Sequence, residues 1–248
     1  RLGKNREALQ GLEVSWKINE SLRERPDVMS QQFALAVLNM QASVLRKIKE
    51  IPLEWEQRIA SINPLESVIT TLKFDSVIFS KELSESDMRI ADSLSWSGVG
   101  KQLQRVAATQ FLEVAGLAFG RLKSIDGCSF DPDRFQQEIE ASLPSWSKSG
   151  ITNASARLWK TVGRTRLNLE LTQQVLQLRL QASGSFSQPS SSMVSSFCRD
   201  ARWDHQTTAD GKRVISCTWS PDWARQESDV WRFDVPVKYS MKIEPRHQ

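Results

Sequence analysis

Residues 183–196 read SGSFSQPSSSMVSS, with eight serines in fourteen positions, and the hydrophobic patterning of the chain changes across them. Before this stretch apolar residues recur every three or four positions, the spacing of amphipathic helices. After it come short runs of β-branched and aromatic residues in partial alternation, the spacing of strands. Helical and strand patterns that are segregated along a chain, rather than alternating, predict an α+β protein. The expected fold is α+β, predominantly α, with a multi-helix body of antiparallel helices and a small C-terminal antiparallel β meander. The organisation that follows is a helical body at 1–183, a Ser-rich linker at 184–197 and a small β-rich tail at 198–248.

Prolines punctuate the helical part. Leu2, Leu9, Leu12 and Trp16 form the stripe of a first helix that ends near Pro26. The next segment, PDVMSQQFALAVLNMQASVLRKIKEIP, has Phe33, Val37, Met40, Val44, Ile48 and Ile51 stepping by three or four, a row read as filling space between helices. Short helices follow Pro52 and Pro64, and FDSVIFS (74–80) reads as a continuation of the second or as a short strand, with helix favoured. A helix apolar over much of its circumference is expected around 111–119, a brief one around 135–143, and the longest from about Asn153 to Ala182. In that last helix Leu158, Val162, Leu169, Leu176 and Leu180 share one side while Leu167, Leu171 and Leu178 fall almost opposite. Two apolar faces imply a helix packed between two layers or against a partner. In the tail, ARWDHQT, RVISCTWS and DVWRFDVPVKYSM predict three strands, with the Asp-Gly of ADGK as a tight hairpin turn and Pro236 marking an edge.

Composition narrows the function classes. The 248 residues carry 33 basic and 29 acidic side chains, a net charge of +4, and the basic residues are scattered. Nucleic-acid binding favours a concentrated basic face, so no nucleic-acid partner is expected. The richest apolar run, FLEVAGLAF, is far shorter than a membrane span. The sequence opens at Arg1 inside a helical pattern, from which a lost signal peptide or membrane anchor is expected.

The densest collection of chemically capable residues is CRDARWDHQTTADGKRVISCTWSPDW, 198–223. Zinc sites bring ligands in close pairs such as C-x2-C, a spacing that Cys198, His205, Cys217 and Asp204 do not have. A disulfide between Cys198 and Cys217 would tie the first tail strand to the second and stabilise the fold by about 3 kcal/mol. Buried thiols are the alternative, and Cys128 is read as a core residue. No nucleophile elbow accompanies His205, which is placed on a strand surface. The nearest approach to a phosphate loop, SGVGKQ, lacks the required spacing. Trp203, Trp219, Trp223 and Trp231 have two readings, an aromatic interaction surface or the core of a small tail, with core preferred. No catalytic residue, metal ligand, cofactor or small-molecule substrate is assigned.

The passage SLRERPDVMSQQFALAVLNMQASVLRKI with PLEWEQRI, and later TRLNLELTQQVLQLRLQASGSFSQPSSSM, resemble a group of uncharacterised bacterial proteins of acidobacterial type. The resemblance implies an N-terminal membrane anchor, a helical extracytoplasmic body and a tail. The later passage is weakly pseudopilin-like, since a long helix gives way to a Gly-aromatic-Pro turn and small strands, although in GSFSQP the aromatic and the proline are separated. No catalytic residue is carried over.

These readings converge on a non-enzymatic, extracytoplasmic scaffold or interaction subunit of a membrane-associated complex, at the periplasmic face, with protein partners. Two alternatives stand beside it. One is a hydrolase-like enzyme with a pocket between helical body and tail and His205 as acid or base. The other is a helical-hairpin peptide-binding module, for which no 34-residue period is visible.

Overall fold

A computed structural model describes residues 2–48, 50–85, 97–127, 129–142, 151–182, 192–218 and 238–242. Among them lie seven helices: α1 (Leu2–Arg23), α2 (Val28–Leu45), α3 (Leu53–Ser61), α4 (Pro64–Glu85), α5 (Ser97–Ser124), α6 (Pro132–Ser142) and α7 (Ile151–Ala182). Four strands follow: β1 (Ser192–Val194), β2 (Arg202–Thr207), β3 (Lys212–Cys217) and β4 (Lys238–Lys242). The protein is α+β and predominantly α, as its patterning predicts. No described helix is long and apolar enough to cross a membrane.

Local chemistry sets the helix boundaries. The Asp27 carboxylate accepts from the Ser30 N–H at 2.7 Å and caps α2, so Pro26 stands one residue outside the cap rather than in the first turn. Gln31 holds the α1–α2 connection, its Nε2 donating to the carbonyls of Arg23 and Arg25 at 2.9 Å each. Helix α4 runs unbroken through 74–80, as expected.

Helix α7 is the axis of the molecule, with α2, α3, α4 and α6 packed around it and the sheet against its C-terminal half. Val162, Leu171, Val175 and Leu178 are buried on it, as are Leu158, Leu169 and Leu176. Both apolar faces anticipated for this helix are therefore consumed within the chain. One buried cluster gathers Trp159, Phe119, Phe130 and Phe135 with Trp203, Ile215 and Met241, so a continuous core joins helices to sheet. A second gathers Trp16, Leu38, Leu45, Trp55 and Ile59, with Trp16 and Trp55 edge to face at 5.5 Å.

Two expectations are corrected here. The meander has a fourth strand, β1, inside the Ser-rich segment, paired with β2 in the register Met193↔Trp203. Three residues among serines carry too little pattern to announce a strand. On α2, the core is filled by Ala34, Leu35, Leu38, Ala42 and Leu45, while Phe33, Met40 and Val44 of the expected space-filling row face outward. The Asp-Gly turn is present, with Gly211 at φ 74° closing β2 onto β3.

Candidate functional site

The richest polar constellation lies where α7 meets the entry to the sheet. Glu170, halfway along α7, accepts five hydrogen bonds from residues 195–203. Its Oε2 receives the Ser195 hydroxyl at 2.6 Å and the Trp203 indole N–H at 3.0 Å. Its Oε1 receives the Ser196 N–H at 2.9 Å, the Ser196 hydroxyl at 2.7 Å and the Phe197 N–H at 3.2 Å. Ser195 Oγ in turn accepts from the Phe197 and Cys198 N–H groups at 3.2 Å. One turn earlier, Arg166 donates to Ser196 Oγ at 3.1 Å and lies over the Phe197 ring at 5.4 Å. Burial holds the Arg166 guanidinium below its ordinary pKa, and the Glu170 charge opposes that shift.

This carboxylate beside a serine is a clasp rather than a nucleophile with its base. Ser195 Oγ donates to Glu170 as a nucleophile would to its base, but its lone pairs accept from the Phe197 and Cys198 amides and the same carboxylate holds four other donors. The clasp orders a segment of the Ser-rich stretch that composition alone reads as a linker. On the far side, the Gly127 N–H donates to the Phe197 carbonyl at 2.9 Å and the Arg199 N–H to Asp126 Oδ1 at 3.2 Å. A Cβ at Gly127 would stand 2.2 Å from the Phe197 ring, so only glycine permits this approach.

His205 is not on the strand surface. It sits half-buried on β2, facing α7, with Nε2 at 3.1 Å from Gln174 Oε1. Gln174 Nε2 donates to Met193 Sδ at 3.1 Å, which turns Oε1 toward the imidazole and makes Nε2 the donor. Nδ1 is then a buried lone pair with no hydrogen-bond partner among the described residues. Burial lowers the pKa of His205, Arg213 lowers it further and Asp204 partly offsets both. The partner is an amide rather than a carboxylate, so no acid orients this imidazole as a relay would require.

A third polar group lies between α2 and α7. Asn39 Nδ2 donates to Thr165 Oγ1 at 2.9 Å, Asn168 Nδ2 to Asn39 Oδ1 at 2.7 Å, and buried Arg46 to Asn168 Oδ1 and Thr172 Oγ1 at 2.6 and 2.7 Å. Arg179 donates to the carbonyls of Leu45, Arg46 and Ile48, and the Tyr239 hydroxyl to the Arg46 carbonyl at 2.9 Å. The Arg179 guanidinium thus covers the negative end of α2, whose last carbonyls have no helical N–H donors, while the Arg46 guanidinium ties that end to Asn168 and Thr172 of α7. Burial pushes both below the ordinary arginine value.

Of the residues singled out in sequence, Trp203 is fully buried and bonded to Glu170, which makes it core and not an interaction surface. Trp219, Trp223, Trp231 and Pro236 lie outside the described residues. The expected Cys198–Cys217 bond is not the one made. Cys198 is disulfide-bonded, but Cys217 retains its thiol. Cys217 is held in register opposite Trp203, and the neighbours of Cys198 are tied to the 126–127 loop, Phe197 through its carbonyl and Arg199 through its N–H. Cys128 lies outside the described residues. Among those residues no three His, Cys, Asp or Glu side chains stand close enough to hold a metal ion.

Glu170 and Arg179 were not anticipated from sequence. Arg166 and Glu170 at i, i+4 look like an ordinary solvated ion pair, and the one available signal was their position on a helix otherwise apolar on both sides. No family model, no curated protein and no solved structure matches this chain.

Proposed function

We propose that this chain is a non-enzymatic, extracytoplasmic scaffold or interaction subunit of a membrane-associated complex. The observation that carries the reading is on α4, where Phe74, Val77 and Ile78 share one strip and are 41 to 55 % exposed. Large apolar side chains grouped on a helix face favour a protein partner over water. The Glu170 clasp and the Asn39–Arg46 ladder support it from the other side, because they hold α7, α2 and the sheet together. The disulfide at Cys198 supports an oxidising compartment.

Crosslinking in the native source followed by purification tests the reading. The expected result is a specific adduct that the double substitution Val77→Asp with Ile78→Asp removes, the urea midpoint being unchanged. Recovery of the unsubstituted chain solely as an uncrosslinked monomer overturns it.

A further inference from the structure

One side chain of α7 holds two neighbouring strands. Gln174 donates from Nε2 to Met193 Sδ of β1 and accepts at Oε1 from His205 Nε2 of β2, at 3.1 Å in both cases. Gln174 is 3 % exposed, so water does not stand by to replace a lost donor at its carbonyl oxygen.

This contact admits one protonation state of the imidazole. With Nε2 donating, Nδ1 is a buried lone pair, and a proton placed there would become a buried N–H with no acceptor among the described residues. The groups around the ring do not compensate. Burial opposes the imidazolium first, Arg213 of β3 adds a second positive charge, and Asp204 of β2 offsets them only in part. Strand β1, Ser192–Val194, brings no charged side chain. On α7 the ring's partner is a neutral amide, and the carboxylate one turn before it, Glu170, is already held by donors from residues 195–203. A charged ring can satisfy both nitrogens by turning out to water, which leaves Gln174 Oε1 buried without its donor.

We infer that the Gln174–His205 contact is an acid-released latch: a protonated His205 lets go of Gln174, and β1 and β2 lift from α7 at Met193 and His205 while the Glu170 clasp and the helices stay in place. The latch is closed above the ordinary histidine value of about 6.5 and opens as pH falls below it. It is independent of the scaffold reading, which rests on α4.

An NMR titration of the full chain from about pH 7.5 down to about pH 4.5 tests it. The His205 ring signals should change with a midpoint below about 6.5. The Met193 methyl and the Gln174 side-chain NH2 signals should move with the same midpoint, the far-UV circular dichroism being unchanged. In His205→Gln those Met193 and Gln174 signals should stay still across the range. Gln174→Glu offers the imidazolium a carboxylate and should raise the His205 midpoint by about one unit or more, and Arg213→Gln should raise it by less. A His205 midpoint at or above about 6.5, or one that Gln174→Glu fails to raise, overturns the inference. So does a Met193 methyl that ignores the His205 titration or still titrates in His205→Gln, and so does loss of helix at the His205 midpoint.

Discussion

Helices α2 and α7 are both apolar on two sides, and they meet different fates. Helix α7 is enclosed: α2, α3, α4 and α6 cover its flanks and the sheet covers its C-terminal half. Helix α2 is enclosed by α1, α4 and α7 but presents the Met29–Val44 strip to solvent. The two helices even share a polar ladder, from Asn39 and Thr165 through Asn168 and Thr172 to Arg46. A period of 3.6 residues identifies a helix, but it does not say which of two apolar faces the fold will use.

The widest difference between them should appear on truncating their apolar side chains. Leu171→Ala on α7 removes a fully buried side chain in contact with the main core and should cost about 2–5 kcal/mol, read from urea unfolding. A loss below about 1 kcal/mol would mean that the α7 layer is loosely packed and that the contrast with α2 is false.

Next in size is the clasp. Glu170→Gln keeps the shape but removes the charge that strengthens the five accepted hydrogen bonds, and its amide nitrogen cannot accept. An expected loss of about 1–3 kcal/mol should come with quenching or shift of the Trp203 fluorescence as the sheet entry loosens. Non-reducing peptide mapping adds a covalent check: the peptide carrying Cys198 should be recovered joined to another, and the one carrying Cys217 alkylated. Recovery of Cys198 joined to Cys217 would reinstate the pairing that the structure rejects.

A smaller effect belongs to His205, which binds the sheet to Gln174 of α7. Its pKa in the folded protein lies below the ordinary value, so the unfolded chain takes up the proton first as pH falls. This contribution to stability is full above the unfolded histidine value of about 6.5 and is lost as pH falls through it toward the folded value. Urea midpoints at about pH 7.5 and about pH 5.5 should therefore differ, and His205→Gln should reduce the difference. An equal difference in the variant would place the pH dependence elsewhere.

What the sequence disclosed divides along the same line. Local rules were enough for the Asp-Gly hairpin and favoured helix for 74–80, because each depends on residues a few positions apart, but they missed the Asp27 cap of α2. Glu170 was invisible because its donors come from residues 195–203, and nothing near it in the chain distinguishes a clasp from a solvated pair. Trp203 was readable as large and apolar, but its burial depended on docking against α7. For Cys198 the nearest cysteine in sequence was the natural partner. The hydrogen bonds of Gly127 and Arg199 tie the residues on either side of it to the 126–127 loop, a contact that no local rule announces.

The smallest expected effect is the one that decides the comparison. Met40→Ala removes from α2 a side chain of the same class as those that matter on α7, from a helix of higher apolar content. Met40 is half exposed, so the truncated atoms have little packing to lose and the chain should change in stability by less than about 0.5 kcal/mol. A loss of about 2 kcal/mol or more would mean that Met40 fills a core as Leu171 does. The contrast between α2 and α7 would then be false.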